Sequence, residues 1–169
     1  MKNYEIERKW LFDLNKIPSD LPCLNENAHE QGYLEAEKSD IRIRKKECLS
    51  SVKEPTYKLC FKNKGNLKRI EIEFDLTPER FNRLAELGGL EKNSFIKKKS
   101  KTYLVNGYEL TVGVVDEGQP TSFCYGEIEF SDEAEALGFE APDWFGEDIT
   151  NEPDYKMASY WLRTREQNK

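Results

Sequence analysis

The sequence predicts one α+β domain built mainly of antiparallel strands, and three observations carry that reading. The chain has 169 residues, near the ~150 typical of one domain and enough to bury roughly two-thirds of its unfolded surface. Apolar and charged residues alternate with period two in segment after segment, as they do in half-buried strands. Helical signals are few and short, and the clearest of them carry caps. No repeat, low-complexity tract or linker divides the chain, so residues 1–169 are read as a single domain.

In the first segment Glu5, Glu7 and Lys9 share one face, while Tyr4, Ile6, Trp10 and Phe12 take the other. Arg8 is the exception on the apolar side. Residues 13–30 read as a loop. Ile41 and Ile43 then oppose Arg42 and Arg44, and residues 47–55 read as a second loop. Tyr57, Leu59 and Phe61 oppose Lys58, Cys60 and Lys62, and Ile70, Ile72 and Phe74 oppose Arg69, Glu71, Glu73 and Asp75. Thr77-Pro78-Glu79 supplies an N-cap, a proline at the first helical position and an early acid. That helix carries Phe81, Leu84 and Ala85 on one stripe and stops at Gly88-Gly89. Asn106-Gly107 predicts a type I′ hairpin joining a strand near 101–105 to one at 108–115. Ile128 and Phe130 oppose Glu127 and Glu129. A short helix follows Ser131 and ends near Gly138. The last begins around Asp154, with Tyr155, Ala158, Trp161 and Leu162 at helical spacing. Tyr160 and Trp161 are read as core, with a homodimer contact as the alternative.

Composition narrows the function classes. Apolar runs are too short for a membrane span, and the opening Met-Lys-Asn-Tyr-Glu-Ile-Glu lacks the apolar stretch of a secretory signal. The net charge of −6 gives no support to nucleic-acid binding. Cys23, Cys48, Cys60 and Cys124 lie far apart without a C-x-x-C pair, which reads as reduced thiols in a cytoplasmic protein. His29 is the single histidine; it cannot form a His-rich metal site and reads as an ordinary loop residue.

The 26 cations and 32 acids are sorted rather than mixed. Glu5/Glu7, Glu71/Glu73 and Glu127/Glu129 make acidic strand faces; Arg42/Arg44 and Lys58/Lys62 make basic ones. Like charges two apart on one face sit roughly 7 Å apart and repel unless countered. Two arrangements satisfy the pattern. One is a solvated sheet face. The other is a closed barrel with a charged, water-filled interior and helices over its apolar outside. In the second, glutamates from separate strands offer hard oxygen ligands suited to Mg²⁺ or Mn²⁺, and arginines and lysines facing them would hold a polyanion. A polyphosphate chain meets both demands. The sequence has no Gly-rich phosphate loop, no G-x-S-x-G elbow and no Cys/His dyad beyond the solitary histidine.

Glu5-Ile6-Glu7-Arg8-Lys9 resembles the E-x-E-x-K signature that opens the CYTH, or triphosphate tunnel metalloenzyme, superfamily. The resemblance continues through Gln31-Gly32-Tyr33-Leu34, Arg42-Ile43-Arg44, Lys62 and Arg69-Ile70-Glu71-Ile72-Glu73. It closes with Glu127-Ile128-Glu129, the stretch Trp144 to Thr150, and Tyr155-Lys156. It spans residue 3 to about 160. E-x-E-x-K alone is a weak signal; the set in this order and spacing is a strong one.

The resemblance implies an eight-stranded antiparallel tunnel, inside a cytoplasmic enzyme, that acts on a small-molecule triphosphate with Mg²⁺ or Mn²⁺ as cofactor. Inorganic triphosphate, cut to pyrophosphate and phosphate, is the first expectation. A class IV adenylate cyclase, a thiamine triphosphatase and a non-catalytic polyphosphate- or nucleotide-binding module are the alternatives. Carried over by position, Glu5, Glu7, Glu127 and Glu129 resemble metal-side carboxylates, and with Lys9 they form the expected catalytic set. Lys9, Arg42, Arg44, Lys62 and Arg69 resemble the triphosphate cradle, and Lys156 a lysine that reaches into the tunnel. Glu71 and Glu73 match tunnel acids that either bind metal or hold the basic groups. Two departures stand out. Where the family has K-x-R before the hairpin, this chain has Lys99-Ser100-Lys101, which places Lys101 in the cradle as a point charge instead of a planar fork. Where the family has a metal-binding aspartate after the hairpin, the simplest register puts Thr111, and Asp116 takes the metal role only if a bulge near Gly113 shifts the strand.

Overall fold

The computed structural model describes residues 4–165; residues 1–3 and 166–169, the ends of the single domain read from the sequence, lie outside the described residues. Alternation along each strand decides the architecture, because the sheet closes on itself and one face of every strand becomes an interior. The strands are β1 (Tyr4–Leu11), β2 (Cys23–Glu35), β3 (Asp40–Cys48), β4 (Thr56–Lys62), β5 (Lys68–Leu76), β6 (Ile96–Val105), β7 (Tyr108–Val115) and β8 (Phe123–Glu129). They close in the order β1-β5-β4-β3-β2-β6-β7-β8, with every neighbouring pair antiparallel. The charged faces therefore turn inward, and the solvated-sheet alternative falls away.

Two strands correct the sequence reading. Residues 23–30, expected as loop, belong to the thirteen-residue β2. β6 starts at Ile96 rather than near 101. Both stretches lack apolar alternation for the same reason. Asn27, His29 and Gln31 on β2, and Lys98, Ser100 and Thr102 on β6, are buried polar residues at inward positions. His29 is thus a buried strand residue and not a loop residue. The turn at Asn106-Gly107 has φ of 51° and 86°, the positive values a type I′ hairpin needs.

The outer faces are covered unevenly. α1 (Pro78–Leu87), capped by the Thr77 side chain, lays Phe81 and Ala85 against Ile43 of β3. α2 (Glu133–Gly138) and the segment after it cover β1, β7 and β8 through Trp10, Phe12, Leu110, Ile128, Phe139 and Phe145. Arg8, the charge on the apolar side, ties that segment down. It donates to the carbonyls of Ala136 and Phe139 at 2.9 and 2.8 Å and to Asp148 at 2.7 Å. The chain from 146 to 149 runs along β1, with Gly146 donating to the Leu11 carbonyl and Ile149 to that of Lys9.

α3 (Met157–Arg165) lies across one end of the barrel. Its Met157, Ala158, Tyr160 and Trp161 pack with Tyr33, Ile96, Val115 and Tyr125, all at inward positions of their strands. With Tyr160 1% exposed and Trp161 5%, these rings belong to the protein's own core, and the dimer contact expected as their alternative has no surface left there. Among the described residues, Ile70, Ile72 and Phe74 of β5, with Phe61 of β4 and Tyr4 of β1, form an exposed apolar row on the outer wall.

Candidate active site in the barrel interior

The inward side chains of β1, β3, β4, β5 and β8, joined by Lys98 of β6 and Lys156, line a cavity of roughly 250 Å³. Register puts Glu7 opposite Glu129 and Lys9 opposite Glu127 across the β1–β8 pair. Glu5 accepts from Lys62 at 2.7 Å and from Arg69 at 3.0 Å, while Glu7 accepts from Arg69 at 2.7 Å and Lys9 at 3.0 Å. Lys9 also faces Glu127 at 3.5 Å. Glu71 accepts from Lys62 at 3.1 Å, and Glu73 lies 3.3 Å from Arg44 and 3.9 Å from Arg42. The two β5 acids therefore hold basic groups in this structure. Glu71 also accepts the Cys60 thiol hydrogen at 3.2 Å, and among the described residues Cys60, Glu71 and Glu73 form a cluster with donor atoms within 4.8 Å of one another.

Unlike charges balance in part only. The Nε atoms of Arg42, Arg44 and Arg69 are buried without a hydrogen-bond partner, an arrangement that costs stability unless an acceptor arrives. The crowding also separates chemically identical groups. Burial and the neighbouring Glu7 raise the Glu5 carboxyl above its ordinary range despite Lys62 and Arg69. Burial would raise Glu7 too, but Lys9, Lys62 and Arg69 together outweigh it and hold that carboxyl well below. Lys9, buried but facing Glu7 and Glu127, keeps its proton more tightly than a free lysine. Lys98 goes the other way: burial, reinforced by Arg44, Lys9 and Arg42 and opposed by Glu127, pushes its ammonium down to about 8. It donates to the Tyr125 hydroxyl at 2.9 Å.

Of the residues expected at the site, Glu5, Glu7, Lys9, Arg42, Arg44, Lys62, Arg69, Glu71, Glu73, Glu127, Glu129 and Lys156 all line this cavity. Lys156 donates to the Gly65 carbonyl and to Asn66 at its edge. Two do not. Lys101 points outward, with its side chain 53% exposed and paired to Glu26 at 2.9 Å. The expected register of β6 was one residue out of phase, and Lys98 is the inward lysine. Asp116 is buried, but its oxygens are taken by the Lys97 backbone N–H at 2.9 Å, the Tyr160 hydroxyl at 2.7 Å and Arg165 at 2.6 Å. No bulge interrupts the β6–β7 pairing from Lys98 to Val105, so Asp116 follows the strand at φ 45° as the seat of α3, away from the cavity. Thr111 stands opposite Glu127 instead and meets Thr102 at 3.1 Å. The sequence reading also left roles off Gln31, Tyr33, Asp40, Cys60, Lys98 and Tyr125, which line the same space. Inward parity with assigned neighbours is the available signal for Asp40, Cys60 and Tyr125; Gln31, Tyr33 and Lys98 lie where no charge alternation marks the inner face.

No protein-family model matches the sequence. An inorganic triphosphatase of Nitrosomonas europaea is 29% identical over 167 residues, which cover 94% of this chain and 97% of that one. The crystal structure of the inorganic triphosphatase NE1496 superposes with a TM-score of 0.58 at 24% identity, over 94% of both chains. The inward E-x-E-x-K of β1 faces the E-x-E of β8 inside the closed eight-stranded barrel. The chain is similar in sequence to an inorganic triphosphatase and shares the closed barrel fold of the solved one. A proposed adenylate cyclase of Bacillus halodurans shares the tunnel fold at 16% identity and a TM-score of 0.52, over 80% of this chain and 86% of that one. In this barrel the acids of β1 and β8 lie side by side, and the cations of β3 and β4 alternate with the acids of β5 along the rest of the lining.

Proposed function

We propose that this tunnel hydrolyses inorganic triphosphate to pyrophosphate and phosphate. The observation that carries the reading is the lining itself: cations on several strands, three of them arginines with unpaired Nε donors, around a cavity whose aromatic or uncharged apolar lining, among the described residues, is limited to Tyr33, Tyr125, Cys60 and Met157. Such a wall suits a bare polyanion and offers little to a nucleobase or a thiazolium ring. The name borne by the Nitrosomonas europaea relative supports the same substrate.

Glu5, Glu7, Glu127 and Glu129 are hard oxygen donors on two adjacent strands, a set that fits Mg²⁺ or Mn²⁺. When bound there, a divalent ion would neutralise phosphate charge and lower the pKa of a water molecule. The chain's own part is positioning and charge. Arg42 and Arg44 would grip phosphate oxygens as planar forks, and Lys9, Lys62 and Lys98 would meet them as point charges. Water would attack the terminal phosphorus, its bond to the bridging oxygen would break, and the charge growing on the departing pyrophosphate would meet these cations. Glu71 and Glu73 keep Lys62 and Arg44 ordered before substrate arrives.

The test is product analysis with inorganic triphosphate, ATP and thiamine triphosphate, each with Mg²⁺, with Mn²⁺ and with chelator. Phosphate released fastest from inorganic triphosphate, and only with metal, is the expected result. Glu7→Ala and Glu129→Ala should each abolish most turnover while the fold survives. Cyclic AMP with pyrophosphate would replace the reading by a cyclase. Binding of every substrate without product would leave a receptor.

A further inference from the structure

His29 is the single histidine of the chain, and its neighbours in the barrel are cations. Register sets it opposite Lys46 of β3 on one side and Lys98 of β6 on the other. Arg44 and then Arg42 follow at the next inward positions of β3, with Cys48 one step the other way. The residue is 8% exposed. Its Nε2 meets the Ser100 hydroxyl at 2.9 Å, while Nδ1 is buried without a hydrogen-bond partner. Among the described residues, Glu73 is the single carboxylate within ion-pair distance of Arg42, Arg44, Lys46 or Lys98, at 3.9 Å from Arg42 and 3.3 Å from Arg44. Four cations against one acid leave a surplus of positive charge beside the ring. Burial, then Lys98, Arg44, Lys46 and Arg42, push the imidazole down to about 2, so the ring of the empty tunnel is neutral.

The same arrangement ties the ring to whatever fills the tunnel. Lys98, Arg42 and Arg44 all line the cavity. A polyanion among them would supply the acceptors that the two Nε atoms lack and would cancel the surplus charge. Like charges disfavour a charged form and opposite charges favour it, so the electrostatic influence on His29 reverses when the anion arrives. We infer that His29 takes up a proton from solvent as triphosphate enters and gives it back as products leave, its imidazolium acting as a further substrate-binding group of the cradle. That step rests on a triphosphate filling the tunnel, as proposed above. The imidazolium donates from both nitrogens: Nε2–H to the Ser100 oxygen, and Nδ1–H to an acceptor that the empty tunnel does not provide. A fixed charge here would add to the repulsion among Lys46, Lys98 and Arg44 at all times. A histidine carries the charge only while the anion is present. Because the pKa rises on binding, affinity should grow as pH falls below the bound-state value.

The experiment is NMR of the full chain, free of any histidine tag and carrying isotope-labelled histidine, between pH 5.5 and pH 8. With one histidine in the sequence its ring signals need no assignment. Spectra are taken of the protein alone and with inorganic triphosphate plus chelator, and calorimetry establishes that triphosphate is bound. The free protein should keep the shifts of a neutral imidazole throughout. The complex should titrate with a midpoint at or above the ordinary ~6.5. Affinity supplies a second reading. With that midpoint, wild type should bind triphosphate about tenfold more tightly than His29→Gln at pH 5.5, and within about twofold of it at pH 8. A ring that stays neutral at pH 5.5 with triphosphate bound overturns the inference and leaves the triphosphatase reading standing. So does an affinity gap of the same size at both pH values, which is what a packing role alone would produce. Absence of triphosphate binding overturns both.

Discussion

Lys98 and Lys101 lie on one strand three residues apart and on opposite faces, and exchanging their expected roles gives the sharpest test of the site. Lys98 is buried with its ammonium in the tunnel beside Tyr125, while Lys101 stands in solvent against Glu26. A hydrogen bond from a charged donor to a substrate phosphate contributes ~1.5–3 kcal/mol, so Lys98→Met should lower kcat/KM for triphosphate roughly 10- to 150-fold. Lys101→Met removes an exposed ion pair contributing at most ~1 kcal/mol to stability and should leave kcat/KM within about twofold. The pH profile adds a second reading. Lys98 is charged below about 8 and neutral above it, and kcat/KM reports the free enzyme. The wild-type profile should therefore fall as pH rises through about 8, and Lys98→Met should lack that limb. Steady-state kinetics of the two variants across pH measures all of this. Loss of activity in Lys101→Met with Lys98→Met unaffected would refute the inward assignment of Lys98.

Other expectations follow from the same geometry. Asp116→Ala strips Arg165, Tyr160 and the Lys97 N–H of a buried acceptor; losing ~3 kcal/mol should lower the melting temperature by roughly 6–12 °C, whereas Asp116→Asn should leave any metal dependence as it was. An unchanged melting curve for Asp116→Ala would remove its role as the seat of α3. His29 is held neutral, pushed down to about 2 by burial and by Lys98, Arg44, Lys46 and Arg42. Because the unfolded chain takes up a proton near 6.5 and the folded one does not, stability falls as pH drops below 6.5, by about 2 kcal/mol at pH 5. Urea midpoints at pH 7 and pH 5 should show that loss in the wild type and a smaller one in His29→Gln; equal losses would sink it. Gly146→Ala would put a Cβ 2.3 Å from the Leu11 carbonyl oxygen, a backbone clash that should destabilise by at least ~1–3 kcal/mol, read as a shifted denaturation midpoint.

The parts of the molecule legible in sequence were those where an inward charge alternates with an outward apolar residue. β1, β4 and β5 obey that rule, and their tunnel residues could be named by parity alone. The rule fails where the outside carries no strong apolar signal. Along β2 the inward Asn27, His29 and Gln31 alternate with Ala28 and Glu30, and along β6 Lys98, Ser100 and Thr102 alternate with Lys97, Lys99 and Lys101. A run of lysines has no parity of its own, so its register waits on the partner strand, where Lys98 is paired with Val115 and His29. Asp116 was misplaced for a related reason: in sequence a turn acid and a strand acid look alike, and only packing shows Tyr160 and Arg165 converging on it. The uncovered row on β5 was legible as apolar but not as exposed, since whether a helix reaches a given strand is a property of the assembled fold.

The placement of α3 has a consequence for traffic. α3 packs on the inward Tyr33, Ile96, Val115 and Tyr125, so if the tunnel acts as proposed, substrate would enter and products would leave by the end away from that helix. A linear phosphate chain would then be admitted tip first, so trimming would proceed from the end and never from the middle. Pyrophosphate still inside bars the next arrival, and it should act as a competitive inhibitor whose departure sets the pace at high substrate concentration.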